Sequence, residues 1–166
     1  MLEDFEEFVR ARSAALLRYG YVLSGNRHDA ADLTQEALIR LGQNWARVRD
    51  KADPEAYVRT TMARLHISWW RRQRRERLVG TPPERPQVDD GIARADDDLG
   101  MWQAVAKLPP RQRVVLVLRY YEQLSDEEIA AMLNVTRGTV RSQAARGLDK
   151  LRAPATERIK DLTRRT

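Results

Sequence analysis

The arginines of this chain matter for where they fall. Around "TRGTVRSQAARG", residues 136–147, a helical period places Val140, Ala144, Leu148 and Leu151 along an inner side. Arg137, Arg141, Ser142 and Arg146 are presented opposite, with Thr139 beside them. Such arginines neutralise phosphate or fork onto guanine, while Thr139, Ser142 and Gln143 can hydrogen-bond to phosphate or base edges. A second basic group stands in "HISWWRRQRRE", residues 66–76, where two adjacent tryptophans run directly into arginines. Taken alone, that stretch fits a solvated helix end, an amphipathic anchor on lipid, or a nucleic-acid grip. Other chemistry is poorly served. The chain has no cysteine, which excludes disulfides and thiolate metal sites, and His28 and His66 form no ligand-spaced cluster. No carboxylate pair, nucleophile triad or phosphate loop is present, so neither an enzyme nor a cofactor is expected. A nuclease could hide an acidic metal site only in "DDG…DDD", residues 89–98, which reads as linker.

The elements holding the first arginine group form a helix-turn-helix pattern. Ser125 and Glu128 have capping-box spacing, and Ile129, Ala130 and Leu133 supply the inner face of a support helix. Asn134 occupies the tight turn, where it tolerates a left-handed backbone, and Thr136 can cap the next helix. The second helix is thereby given a polar, cationic face suited to the major groove. A plain helical hairpin with a solvated face is the simpler alternative. The agreement of turn, caps and inner face favours DNA.

The chain has 166 residues, 42% of them hydrophobic, and a net charge of +6, which suits an ordered protein with a polyanionic partner. Residues 2–76 read as several helices. Phe5, Phe8, Val9, Leu16, Tyr19 and Leu23 line the first, which "SGN" interrupts; Ala30, Leu33, Ala37, Leu38 and Leu41 line the second. Asp53 and Pro54 open a third long helix as cap and first turn. On it, Val58, Met62, Leu65 and Trp69 form an apolar sector, with Trp69 read as core and Trp70 at the core edge or offered as a stacking face. Arg64, Ser68, Arg71, Arg72 and Arg75 cluster on the other side. "GTPPERPQVDDG", residues 80–91, has no period and reads as a linker. Pro110 opens the helix "RQRVVLVLRYYE", preferred over a strand, and "PATERIKDLTRRT" is a polar tail. The expected fold is all-α: two small helical domains, 1–77 and 96–153, joined by a flexible linker, 78–95, with a tail, 154–166. No apolar window is long enough to span a bilayer and the acidic start lacks an export signal, so membrane insertion is not expected and a cytoplasmic location is.

In this order, the motifs "GNRHDAADLTQEALIRL", "PEAYVRTTMARLHISWWRRQRRE" and "LPPRQRVVLVLRYYEQLSDEEIAAMLNVTRGTVRSQAARGLDKLR" resemble bacterial sigma factors of the extracytoplasmic-function group, particularly the short actinobacterial type. The resemblance covers nearly the whole chain. It implies a transcription initiation factor that binds core RNA polymerase and recognises promoter DNA. Implied polymerase contacts are Asp32, Leu33, Gln35, Glu36, Leu38, Arg40 and Leu41. For the −10 element and its melting it implies Arg59, Arg64, His66, Ser68, Arg71, Arg72 and Arg75, with the loop "NWARVRDKAD" holding part of a flipped-base pocket. For the −35 element it implies Arg137, Thr139, Arg141, Ser142 and Arg146. Members are often held inactive by an anti-sigma factor. The acidic linker would run near the RNA exit route, where its charge could mimic nascent RNA. Departures from the family pattern are Asn134 for a usual glycine, Gln143 for a common arginine, and "AARGLDKL" for a more basic segment. A stand-alone helix-turn-helix regulator with an N-terminal dimerisation or regulatory domain is the competing reading, and a module binding an acidic protein or RNA is a third.

Overall fold

A computed structural model describes residues 2–77 and 97–164, with side chains for 2–73, 75–76 and 100–152. The expected linker and the 89–98 acidic stretch fall outside those side chains. The fold is all-α: the described residues are helix and turn, in two compact units, 1–90 and 91–166.

In the first unit, α1 (Leu2–Ser24) and α2 (Arg27–Gln43) are joined at Gly25, whose φ of 70° suits glycine. Asn26 caps α2, its side-chain oxygen accepting from the Asp29 N–H at 3.1 Å. The two helices approach closely at Gly20. A Cβ there would lie 3.1 Å from the Ala30 Cα and 3.0 Å from the Met62 methyl. Leu16, Tyr19 and Leu23 meet Ala30, Leu33, Ala37 and Leu41 in the core, with Val58 and Met62 of α4 (Pro54–Arg77). Short α3 (Trp45–Lys51) is fastened to the start of α1: the Trp45 ring lies 5.4 Å from Phe5 and 5.7 Å from Phe8, and Arg49 pairs with Asp4 at 3.0 Å. Asp53 caps α4, accepting from the Glu55 N–H at 3.0 Å, and Pro54 fills its first position. Glu55 in turn pairs with Arg12 of α1 and with Arg59.

The second unit begins with α5 (Asp97–Ala106) and α6 (Pro110–Leu116), which runs into a π-helical turn, Val117–Tyr121. "VVLVL" is therefore helical, and Val114, Val115, Leu116, Val117 and Leu118 are all buried. Arg113 is buried too, donating to the Leu108 carbonyl at 3.1 Å and the Ala106 carbonyl at 3.5 Å, so that it closes the end of α5. Next, α7 (Asp126–Leu133) carries a full capping box: Glu128 N–H to Ser125 Oγ at 3.1 Å, and Ser125 N–H to the Glu128 carboxylate at 2.8 Å. Asn134 ends it in the left-handed conformation, φ 55° and ψ 50°. Thr136 accepts from the Thr139 N–H at 3.1 Å and opens α8 (Arg137–Arg164), whose helix continues past residue 153 into the segment read as a polar tail. Gly147 lets α8 settle on α6, since a Cβ there would lie 2.9 Å from a Leu116 methyl.

The left-handed turn gives a first expected outcome. Asn134→Gly should leave thermal stability within about 0.5 kcal/mol, whereas Asn134→Val should lower it by about 1–2 kcal/mol, because a β-branched residue is strained there.

Candidate nucleic-acid interface

One turn of α-helix advances 3.6 residues, and that geometry sorts the residues singled out in α4. Arg64, Ser68, Arg72 and Arg75 recur at spacings of four, four and three, and all four are exposed. Arg71 belongs to the same stripe and is half-buried. His66, two positions beyond Arg64, points about 200° away, into the middle of the sector holding Met62 and Trp69. It is 8% exposed. The imidazole therefore lies within the domain interior, unlike the arginines of the stripe. Arg59 also lies away from the stripe, paired with Glu55 at 3.1 Å. Trp69 and Trp70 are both half-buried, so the expected contrast between a core ring and a marginal one is not realised.

The same geometry divides α2. Leu33 and Leu41, both among the implied polymerase contacts, are fully buried beside Ala30 and Ala37, in the core that holds the helix in place. Leu38 is half-buried at the margin. Asp32, Gln35 and Arg40 are exposed, with Glu36 partly so. Ile39, which the apolar pattern did not single out, is 49% exposed between them. The face is therefore acidic and amide-bearing around one isoleucine. Its side-chain pairs, the His28 ring with Asp32 at 3.5 Å and the ion pair Glu36–Arg40 at 3.1 Å, lie along the helix and at the surface. Such pairs are worth little, about 0–1 kcal/mol, so a partner can exchange them at small cost.

On α8, Arg137, Arg141, Ser142 and Arg146 are exposed, while Val140, Ala144 and Gly147 are buried against the domain. Thr139 is half-buried and its hydroxyl lies 3.0 Å from that of Thr136. Two of the arginines meet carboxylates from the first turn of α7: Arg137 lies 3.2 Å from Glu127 and Arg141 lies 3.5 Å from Asp126. Sequence periodicity gave no sign of these pairs. Among the described residues no His, Cys, Asp or Glu cluster could hold a metal ion, and no helix is long and apolar enough to cross a membrane.

Comparison with known proteins bears directly on these surfaces. Residues 8–76 match the family model for sigma-70 region 2, and residues 104–153 match that for sigma-70 region 4. Over 150 residues the chain is 40% identical to the RNA polymerase sigma-E factor of Streptomyces coelicolor, covering 90% of this chain and 84% of that one. The chain belongs to the sigma-70 family, in its extracytoplasmic-function group. The sigma-E factor of Streptomyces avermitilis is 39% identical over 149 residues, covering 90% and 83% of the two chains. The extracytoplasmic-function sigma factor SigE of Mycolicibacterium smegmatis is 35% identical over 91% of this chain and 61% of its own. The fold of this sigma factor is also that of RpoE from Bartonella quintana, solved in complex with the anti-sigma factor NepR. The TM-score is 0.61 at 22% identity, over 91% of this chain and 96% of that one. The region 2 match of the sigma factor takes in both the α2 face and the α4 stripe, and its region 4 match contains the whole helix-turn-helix.

Proposed function

We propose that this sigma factor acts through three surfaces. The exposed side of α2, with Asp32, Gln35, Glu36, Ile39 and Arg40, engages core RNA polymerase. The α4 stripe, with Arg64, Ser68, Arg72 and Arg75 and the flanking Arg71, meets the −10 region as it opens. The outer side of α8, with Arg137, Arg141, Ser142 and Arg146, reads the −35 region in the major groove. The observation that carries the reading is the separation on α4 and α8, where Arg64, Arg72, Arg75, Arg137, Arg141 and Arg146 are exposed while Met62, Ala63, Leu65, Val140 and Ala144 are buried.

The physical work is binding. Extracting a base from the stack costs a few kcal/mol, and phosphate contacts by the α4 arginines together with a pocket for the extruded base offset that cost. No bond in the nucleic acid is made or broken by the factor itself. Because polymerase holds two modest readers at a fixed spacing, the free factor binds promoter DNA weakly. It works in the cytoplasm with the polymerase, and an anti-sigma protein acting on it would have to cover the α2 face or one of the basic faces.

Run-off transcription with purified core polymerase, over a promoter library, tests this. Polymerase plus factor should initiate at a discrete promoter set. The triple variant Arg64→Ala, Arg72→Ala, Arg75→Ala should cut open-complex yield at least about tenfold, since three phosphate contacts are lost. Absence of polymerase binding, together with tight promoter binding by the free protein, would instead make it a stand-alone regulator.

A further inference from the structure

Asp126 stands at the first position of α7 and meets two arginines from different elements. Arg119, in the π-helical turn, approaches both of its oxygens, with Nε 3.4 Å from Oδ1 and a terminal nitrogen 3.5 Å from Oδ2. Arg141, on α8, approaches Oδ2 through Nε at 3.5 Å. The Asp126 side chain is only 15% exposed, while the Arg141 side chain is 61% exposed. The acid is thus the anchored member and the arginine the projecting one.

Which nitrogen Arg141 uses decides what the pair can do. A guanidinium forks onto guanine or phosphate with two N–H groups lying side by side. Asp126 takes the Nε edge, so the Nη1 and Nη2 end is left to project from the helix. The neighbouring pair has the opposite sense: Arg137 meets Glu127 through a terminal nitrogen at 3.2 Å, and both side chains are more than half exposed. A fork from Arg137 using that nitrogen must first break its contact, whereas a fork from the outer end of Arg141 need not.

We infer that Asp126 is a positioning residue for promoter recognition: steadied by Arg119, it holds Arg141 by its Nε edge so that the terminal nitrogens are aimed at one base pair. The inference rests on the reading of α8 as the −35 reader. It assigns a specificity-determining role to a side chain on the support helix that need not touch DNA. Without the carboxylate, Arg141 keeps its charge and its attraction to phosphate but loses its fixed direction. General binding therefore persists while discrimination falls.

The experiment selects initiating sequences from a library randomised across the −35 region, using core polymerase with the full-length factor, and compares wild type with Arg141→Ala, Asp126→Asn and Arg119→Gln. A bidentate arginine gives a preference of roughly fivefold to more than a hundredfold at its base pair. Arg141→Ala should abolish that preference at one position. Asp126→Asn should weaken it at the same position by at least about threefold, with the other positions unchanged, and Arg119→Gln should weaken it there to a smaller extent. Binding to random-sequence duplex should not fall in Asp126→Asn. If Arg141→Ala removes a preference that Asp126→Asn leaves intact, the positioning role is wrong and the reading of α8 stands. If Arg141→Ala changes no position, the reading of α8 itself fails. Uniform flattening in Asp126→Asn, with a lowered unfolding temperature, would reduce Asp126 to a structural residue.

Discussion

Replacing Arg113 with methionine should destabilise the second unit by about 3 kcal/mol. The residue is 5% exposed, and its guanidinium donates to the carbonyls of Leu108 and Ala106, at the exit from α5. In a continuing helix the Ala106 carbonyl would accept from residues 109 and 110, but both are prolines and have no N–H. Methionine retains an apolar stem of similar length, so packing is largely preserved while the donors vanish. Bonds from a charged donor contribute about 1.5–3 kcal/mol, and leaving a buried acceptor without one costs a similar amount. Lysine should recover only part of the loss, because a point charge cannot serve two carbonyls with the geometry of a planar fork. Urea unfolding followed by amide exchange resolved to α6 and α8 measures the effect, and the exchange pattern of α1 and α2 should stay unchanged.

The second large effect separates core from contact on α2. Leu33→Ala should cost about 3 kcal/mol, within the 2–5 kcal/mol usual for a fully buried leucine, since Leu33 is 0% exposed. Gln35→Ala, two residues away and exposed, should leave stability within about 0.5 kcal/mol. In a polymerase-binding titration the order reverses in meaning. Gln35→Ala should weaken binding about tenfold with the fold intact, a loss typical of an interface residue with more than marginal weight. Leu33→Ala should weaken binding only in proportion to the fraction unfolded. A folded Leu33→Ala variant with a large binding defect would return Leu33 to the contact surface.

What could be seen in the sequence was mostly local. The Ser125–Glu128 box, the Asn134 turn, the Thr136 cap and the Asp53–Pro54 start each depend on residues within a few positions of one another, and each is formed. Helical period also separated α4 into a buried sector and an arginine stripe. Residue type was a poorer guide than position: His66, a contact implied by the family resemblance, sits in the centre of the apolar sector, and Arg113, on which the sequence reading was silent, is buried. Leu33 and Leu41 went the other way, drawn into the contact set by a family motif that mixes surface and core residues. Ile39 was missed because an exposed isoleucine leaves no trace in a pattern that equates apolar with inward. The contacts between Asp126, Arg119 and Arg141 were beyond reach for another reason. They depend on the π-helical turn and on the crossing of α7 and α8, which no spacing along a single helix records.

The bonds that set up the reading helix are short in sequence. Ser125 to Glu128, Ala130 to Val135 and Thr136 to Thr139 each close a loop of only a few residues, so little chain entropy is lost in forming them. The Leu116–Gly147 seam that fastens α8 to α6 spans far more chain. In a refolding molecule the contacts of the support helix, its turn and the first turn of α8 therefore need only local searches, whereas that seam needs a long one. The reading head is thus the part of this unit whose closure costs the least chain entropy, and the seam that mounts it the part that costs more.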